Sequence, residues 1–173
     1  MQTLPNSHLD VLLEGRRFGA SKAVHYSIKD PLEAVDLARS IAADFGDSRR
    51  IQLGLNEIIL NAIEHGNLEI GFRMKTILLF SGAYMDVIDF RLKNIKFRAR
   101  HVDIFVEALD NKVRFTVADQ GQGFDPKPYL RQPDLNAQSP NGRGIALAGR
   151  NCFDALTYNQ KGNVVVGVSK LEH

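Results

Sequence analysis

Residues 51–65 constrain the fold more than any other stretch. Wound as an α-helix at about 3.6 residues per turn, they place Ile51, Leu55, Ile58, Ile59 and Ala62 on one face. Leu53, Leu60 and Ile63 cover much of the opposite side. A helix that is apolar on two sides is sandwiched inside a core. Glu57, Asn61 and Glu64 share the narrow polar stripe that remains, and that stripe has to meet water, a ligand or an internal partner. Periodicity alone fits a solvated seam and a functional site equally well. A Glu and an Asn four residues apart do, however, set a carboxylate able to take a proton beside an amide oxygen able to bind Mg²⁺.

Such a helix needs a layer on each side, and the chain has the material for one. Its 173 residues are 44% hydrophobic and 24% charged with a net charge of +2, the balance of one globular domain with a full core rather than of a disordered or collagenous chain. No apolar run approaches the roughly 20 residues of a membrane span. The single cysteine, Cys152, has no intrachain disulfide partner, and no signal-peptide pattern stands at the amino end. A cytoplasmic, reducing location is therefore expected. One domain over residues 1–170 is the economical reading, with Leu171-Glu172-His173 resembling a tag remnant.

The elements around the helix follow from local signals. Val24, Tyr26 and Ile28, in the stretch 17–28, suit an edge strand. Asp30-Pro31 is a helix start, with apolar spacing from Leu32 to Phe45 before Gly46. Asp47 or Ser48 is expected to cap the helix described above, and Gly66 to end it in the left-handed conformation. Residues 72–97 read as one or two further helices. Val102, Ile104 and Val106, then Val113, Phe115 and Val117, alternate around Asp110-Asn111 as a hairpin. Residues 120–142, with four prolines, read as mostly irregular, a loop length that in a compact domain is functional or mobile. A helix over 144–153 and a last hairpin, 155–159 with 163–169, complete the chain.

Two more constellations hold chemistry. Asp119-Gln120-Gly121-Gln122-Gly123-Phe124-Asp125-Pro126 follows a strand. An acid there accepts a hydrogen bond from an amino group, and the alternate glycines let a flat ligand lie on the backbone. Asn141-Gly142-Arg143-Gly144-Ile145 opens a helix whose free amides and dipole favour an anion, with Arg143 as a further phosphate contact. Each pattern also occurs as an ordinary turn or helix start. A basic run, Arg91, Lys93, Lys96, Arg98 and Arg100, reads as a solvated face or as a docking site for an anionic partner.

Taken in order, Glu57-x-x-x-Asn61-Ala62-x-x-His65-Gly66-Asn67, Asp119-x-Gly121-x-Gly123-Phe124-Asp125-Pro126 and Gly142-Arg143-Gly144-Ile145 resemble the asparagine box and the two glycine boxes of one ATPase superfamily. Gyrase, the ninety-kilodalton heat-shock chaperones, histidine kinases and mismatch-repair proteins share it. The Asn-Ala-x-x-His-Gly-Asn and Gly-Phe-Asp-Pro runs look most like the bacterial anti-sigma-factor serine kinases, over approximately residues 20–170.

The resemblance implies an α/β (α+β) two-layer sandwich, with a mixed, mostly antiparallel sheet and helices on one face. ATP and Mg²⁺ would lie between the helices and a lid at about 124–141. Asn61 would coordinate the metal, Glu57 act as general base and Asp119 bind the adenine amino group. Gly121 and Gly123 would allow close approach, with Phe124 beginning the lid. Gly142, Arg143, Gly144 and Ile145 would line the phosphate side, and His65 the pocket edge.

Residues 71–100 look like an insertion. The implied function is a regulatory serine/threonine kinase that switches partners, a sigma factor and an anti-sigma antagonist, with a homodimer plausible by analogy and neither nucleic acid nor membrane as a direct partner. A non-catalytic ATP-binding module and a detached catalytic module of a two-component kinase are the alternatives.

Overall fold

Alternating apolar and polar residues build a five-stranded sheet in the computed structural model, which describes residues 23–46, 48–109, 111–130 and 143–171. The strands are β1 (Ala23–Ile28), β2 (Val102–Leu109), β3 (Lys112–Ala118), β4 (Ala155–Tyr158) and β5 (Val164–Lys170). Their order across the sheet is β1-β2-β3-β5-β4. All four pairings are antiparallel, which sharpens the mixed sheet expected from sequence. Among the described residues β1 lies at the edge of the sheet and pairs with β2 alone.

Strand period sets which face is covered. Val102, Ile104 and Val106 of β2 stand opposite Val117 and Phe115 of β3 on the buried face. The intervening residues are partly exposed on the other side, where Glu107 accepts from Arg114 at 2.7 Å. Helices α1 (Pro31–Ala42) and α2 (Ser48–Asn61) cover the buried face. α1 begins as expected, with the Asp30 carboxylate accepting from the Leu32 amide at 2.8 Å and Pro31 in the first turn. Ala34, Ala38 and Ile41 then run down its inner side. Phe115 packs edge-on to Phe45. Phe153 is wedged between α2 and β5 so closely that a Cβ at Gly54 or Gly167 would come within 2.7 or 3.0 Å of its ring.

The end of α2 departs from expectation. At Ala62 the chain widens into a π-helical turn, Ala62–Asn67, a device found often at functional sites. The wider turn rotates every later side chain relative to a regular wheel. Glu64 therefore leaves the Glu57–Asn61 stripe and is buried, 1% exposed. Its carboxylate accepts from the Tyr84 hydroxyl and lies 2.5 Å from the Lys75 ammonium. Gly66 is not left-handed, as expected for a helix stop; the positive φ falls on Glu69, at 55°. Leu53, expected to cover an apolar side, is 56% exposed, so α2 is sandwiched along part of its length only.

Residues 72–97 form two helices, α3 (Phe72–Ser81) and α4 (Tyr84–Lys93), divided at Gly82, whose φ of 73° suits glycine. The basic run is divided: Arg91 and Arg100 are half-buried, while Lys93, Lys96 and Arg98 are exposed. Arg91, Lys96 and Arg100 surround the Phe97 ring at 4.9–5.4 Å. Arg91 donates to the Leu68 carbonyl, Arg100 to the Asn67 carbonyl at 2.8 Å, and both Lys96 and Arg100 reach the Glu69 carboxylate. Lys93 and Arg98 make no such contact in the cluster and, like Lys96, are exposed.

Beyond β3 come α5 (Lys127–Leu130), α6 (Arg143–Leu147) and a second π-helical turn, Ala148–Cys152. Leu171, expected to begin a tag remnant, donates its amide to the Asn111 carbonyl at 2.8 Å and packs against the core. Asp47, Gly142, residues 17–22 and 131–141, and Glu172-His173 lie outside the described residues.

Candidate functional site

α2 and α6 meet over one carboxylate. Glu57 and Asn61 lie one turn apart on α2, and the Asn61 Nδ2 donates to Glu57 Oε1 at 3.0 Å. The carboxylate lies so close to Gly144 on α6 that a Cβ there would overlap it. A side chain at this position would push the Glu57 carboxylate out of its place. The amide nitrogen of Asn61 orients the acid and leaves the amide oxygen for another donor or a cation.

From Asn61 a cleft of about 210 Å³ runs between the π-helical turn and the sheet. Asn61, His65, Asp119, Gly123, Phe124 and Ile145, all named from sequence, line it. Gly121 stands behind Asp119: its amide donates to Asp119 Oδ1 at 2.7 Å, and a Cβ there would come within 2.8 Å of the same oxygen. Glu57 borders the cleft through its bond to Asn61. Arg143 opens α6, and Gly142 falls outside the described residues.

Asp119 is the carboxyl that burial perturbs in this cleft. Burial pushes its carboxyl up to about 6, against the pull of the Gly121 amide and of the Lys161 and Arg100 charges. A Cβ at Gly66 would meet Asp119 Oδ1 at 2.5 Å, so the π-helical turn reaches the carboxylate only because residue 66 has no side chain. The Asp119 backbone is held on both sides by Asn163, which receives its amide at the carbonyl and donates its own Nδ2 to the Asp119 carbonyl, at 2.9 and 3.0 Å. Next to it, the Gln120 amide donates to Asn67 Oδ1 at 2.7 Å. The acid is fixed, half-buried and left with acceptor capacity facing the cleft.

His65 is tilted against Phe72, with ring centroids 4.1 Å apart, and its Nδ1 contacts the Ile70 carbonyl. Burial lowers its pKa, while that carbonyl and the Glu64 charge oppose the shift. Across the cleft, Phe124 meets Tyr158 edge-on at 5.4 Å. Gly123 has a φ of 78°, which aims the Phe124 amide at the Lys161 carbonyl at 3.0 Å. The Tyr158 hydroxyl is pushed up by burial and by the Glu57 and Asp119 charges.

Several lining residues were missed from sequence, among them Ile58, Glu69, Phe72, Tyr158 and Asn163. Phe72 belongs to a segment that reads as inserted. Tyr158 and Asn163 read as plain hairpin positions, and only the Asn-Gln-Lys-Gly-Asn turn at 159–163 hints at more.

The cleft fits a flat, polar-edged ligand. Its apolar walls include Ile58, Val117, Ile145 and Val165, and it has a half-buried acid at Asp119, a Glu69 paired with Lys96 and Arg100, and a further polar cluster at Asn61 and Glu57. No group of three or more His, Cys, Asp or Glu gathers for a metal among the described residues. A cation here would rely on few protein ligands and on oxygens brought by the ligand, as Mg²⁺ does with phosphates.

A family model described as a histidine kinase-like ATPase domain matches residues 31–167. A comparison with curated proteins finds no match.

Proposed function

The chain belongs to the histidine kinase-like ATPase domain family, and from that premise we propose that it is an ATP- and Mg²⁺-binding regulatory serine/threonine protein kinase. It would act by partner switching, sequestering a sigma factor and phosphorylating an anti-sigma antagonist. The observation that carries the reading is the pairing at the end of α2: a carboxylate oriented by Asn61 and walled by Gly144, with a half-buried Asp119 further along the cleft.

In this reading Asp119 accepts a hydrogen bond from the adenine amino group, and the glycines at 66 and 121 keep its carboxylate in place. Asn61 offers its amide oxygen to the metal while its nitrogen holds Glu57 in position. Glu57 would accept the proton of an attacking serine or threonine hydroxyl as that oxygen bonds to the γ-phosphorus and the bond from that phosphorus to the bridging oxygen breaks, releasing ADP. Mg-ATP supplies the phosphoryl group and the charge neutralisation on which such transfer mainly depends.

A transfer assay with labelled ATP tests the reading. Glu57→Gln is expected to keep nucleotide binding, seen as a thermal shift with Mg-ATP, and to lose transfer. Asn61→Ala and Asp119→Ala are expected to lose the shift as well. If the wild type labels no candidate antagonist while still binding ATP, the protein is a binding module. Acid-labile phosphate on a separate protein would identify a detached two-component module instead.

A further inference from the structure

Between Asp119 and the Asn61–Glu57 pair, the floor of the cleft is the sheet itself. Strand pairing lays it out: Tyr158 of β4 stands opposite Val165 of β5, and Val165 opposite Val117 of β3. The three form one row across the sheet, and all of them line the cleft. Val117 and Val165 are buried and apolar, as the face of a flat ligand requires. The third member of the row ends in a hydroxyl. Tyr158 is partly buried, and its ring is set edge-on against Phe124 with centroids 5.4 Å apart.

The charges of Glu57 and Asp119 both act on that hydroxyl. Coulomb energy falls off with distance, so the phenol oxygen stands within range of the acids at both ends of the cleft. Among the described residues it has no hydrogen-bond partner. Tyr84 is the contrast, since its hydroxyl is taken up by Glu64. A tyrosine packed for its ring alone has no use for an oxygen here, where leaving it unpaired costs free energy. Burial and the two negative charges keep the proton on it, so the group is a donor waiting for an acceptor.

The two ends of the cleft say which acceptor. A nucleotide held by its amino group at Asp119 and by its terminal phosphates near Asn61 has its ribose and α-phosphate in between. Of these the phosphate oxygen is anionic and the stronger acceptor. A neutral donor also offsets the repulsion that two carboxylates exert on a phosphate passing between them.

We propose that Tyr158 is a nucleotide-binding residue, its hydroxyl donating to the α-phosphate from the floor of the cleft. This role, which rests on the ATP-binding reading, makes the tyrosine a contact for the phosphate rather than for the base or the sugar.

Isothermal titration of the full chain with adenosine, AMP, ADP and Mg-ATP tests it. Tyr158→Phe keeps the ring against Phe124 and removes only the oxygen. Affinity is expected to fall about tenfold for AMP, ADP and ATP alike, to change less than about twofold for adenosine, and the melting midpoint of the free chain is not lowered. A loss for adenosine as large as for AMP overturns the proposal, because the hydroxyl then serves base or sugar. A loss confined to ATP overturns it as well, since the contact then lies at the terminal phosphate. Equal affinities of wild type and variant for all four ligands overturn it while leaving the ATP-binding reading intact. A wild type that binds none of the four overturns that reading, and the role of Tyr158 with it.

Discussion

Two carboxylates sit on either side of the π-helical turn, and they have opposite surroundings. Glu64 points toward the α3–α4 hairpin, where Tyr84 donates to it and Lys75 neutralises it. Asp119 faces the cleft, where its carboxylate receives one backbone amide, from Gly121, and glycines at 66 and 121 crowd it without bonding capacity in their side chains. A buried acid surrounded by cations and donors is a structural joint. One held in place but left with spare acceptor capacity is prepared for a ligand. The turn between them joins the hairpin to the cleft, since His65 and Phe72, which line the cleft, flank the segment that Arg91, Lys96 and Arg100 hold.

If that contrast is right, damage on the two sides should separate into lost affinity and lost stability. The largest effect is expected at Gly66→Ala. Its φ is not in the left-handed region, so the backbone accepts alanine, but the new methyl would lie 2.5 Å from Asp119 Oδ1. The carboxylate has to rotate off the Gly121 amide and away from the ligand. ATP affinity should fall by about 100-fold or more, roughly 2.7 kcal/mol, with the thermal midpoint of the free protein little changed. Isothermal titration beside a melting curve reads both, and undiminished affinity would show that Asp119 does not grip the ligand.

On the other side, Tyr84→Phe removes one donor from buried Glu64 and nothing from the cleft. Stability should drop by about 1–3 kcal/mol, read by urea unfolding, while ATP affinity changes less than about threefold. A variant with intact stability and weakened affinity would mean that the joint serves the cleft directly.

The same turn explains what was legible beforehand. Period-two alternation identified β2, β3 and their pairing because each residue there faces simply in or out. Asp30-Pro31 marked a helix start because a cap is a local interaction. Asn61, His65, Asp119, Gly123, Phe124 and Ile145 were brought to one cleft because their motifs are short and rigidly spaced. Glu64 was assigned to the wrong side because a helical wheel assumes a constant turn, and the π-helical widening at Ala62 breaks that assumption. Gly66 was explained by backbone conformation, whereas its reason is a contact with a residue 53 positions away. The basic run read as a surface feature, which holds for Lys93, Lys96 and Arg98; nothing local reveals that Arg91 and Arg100 turn to the buried Phe97 ring.

The smallest predicted effect is a proton. Burial raises the Asp119 carboxyl from the usual carboxylate range to about 6, so between about pH 4 and about pH 6 the folded protein holds a proton that the unfolded chain releases. The stability this group adds is fully present below its unfolded pKa and is lost as pH rises through about 6. Nucleotide affinity runs the other way, because an adenine amino group needs the ionised acceptor. Between about pH 7 and about pH 5, affinity should fall roughly tenfold, measurable by titration with a fluorescent ATP analogue. His65 lines the same cleft and burial lowers its pKa from the ordinary histidine value, so a variant that separates the two groups is needed. Asp119→Asn keeps an acceptor oxygen and removes the ionisation. If Asp119 is the sensor, affinity in that variant becomes flat over the window. A slope that survives belongs to His65, and the contrast between the two buried acids would then rest on geometry alone.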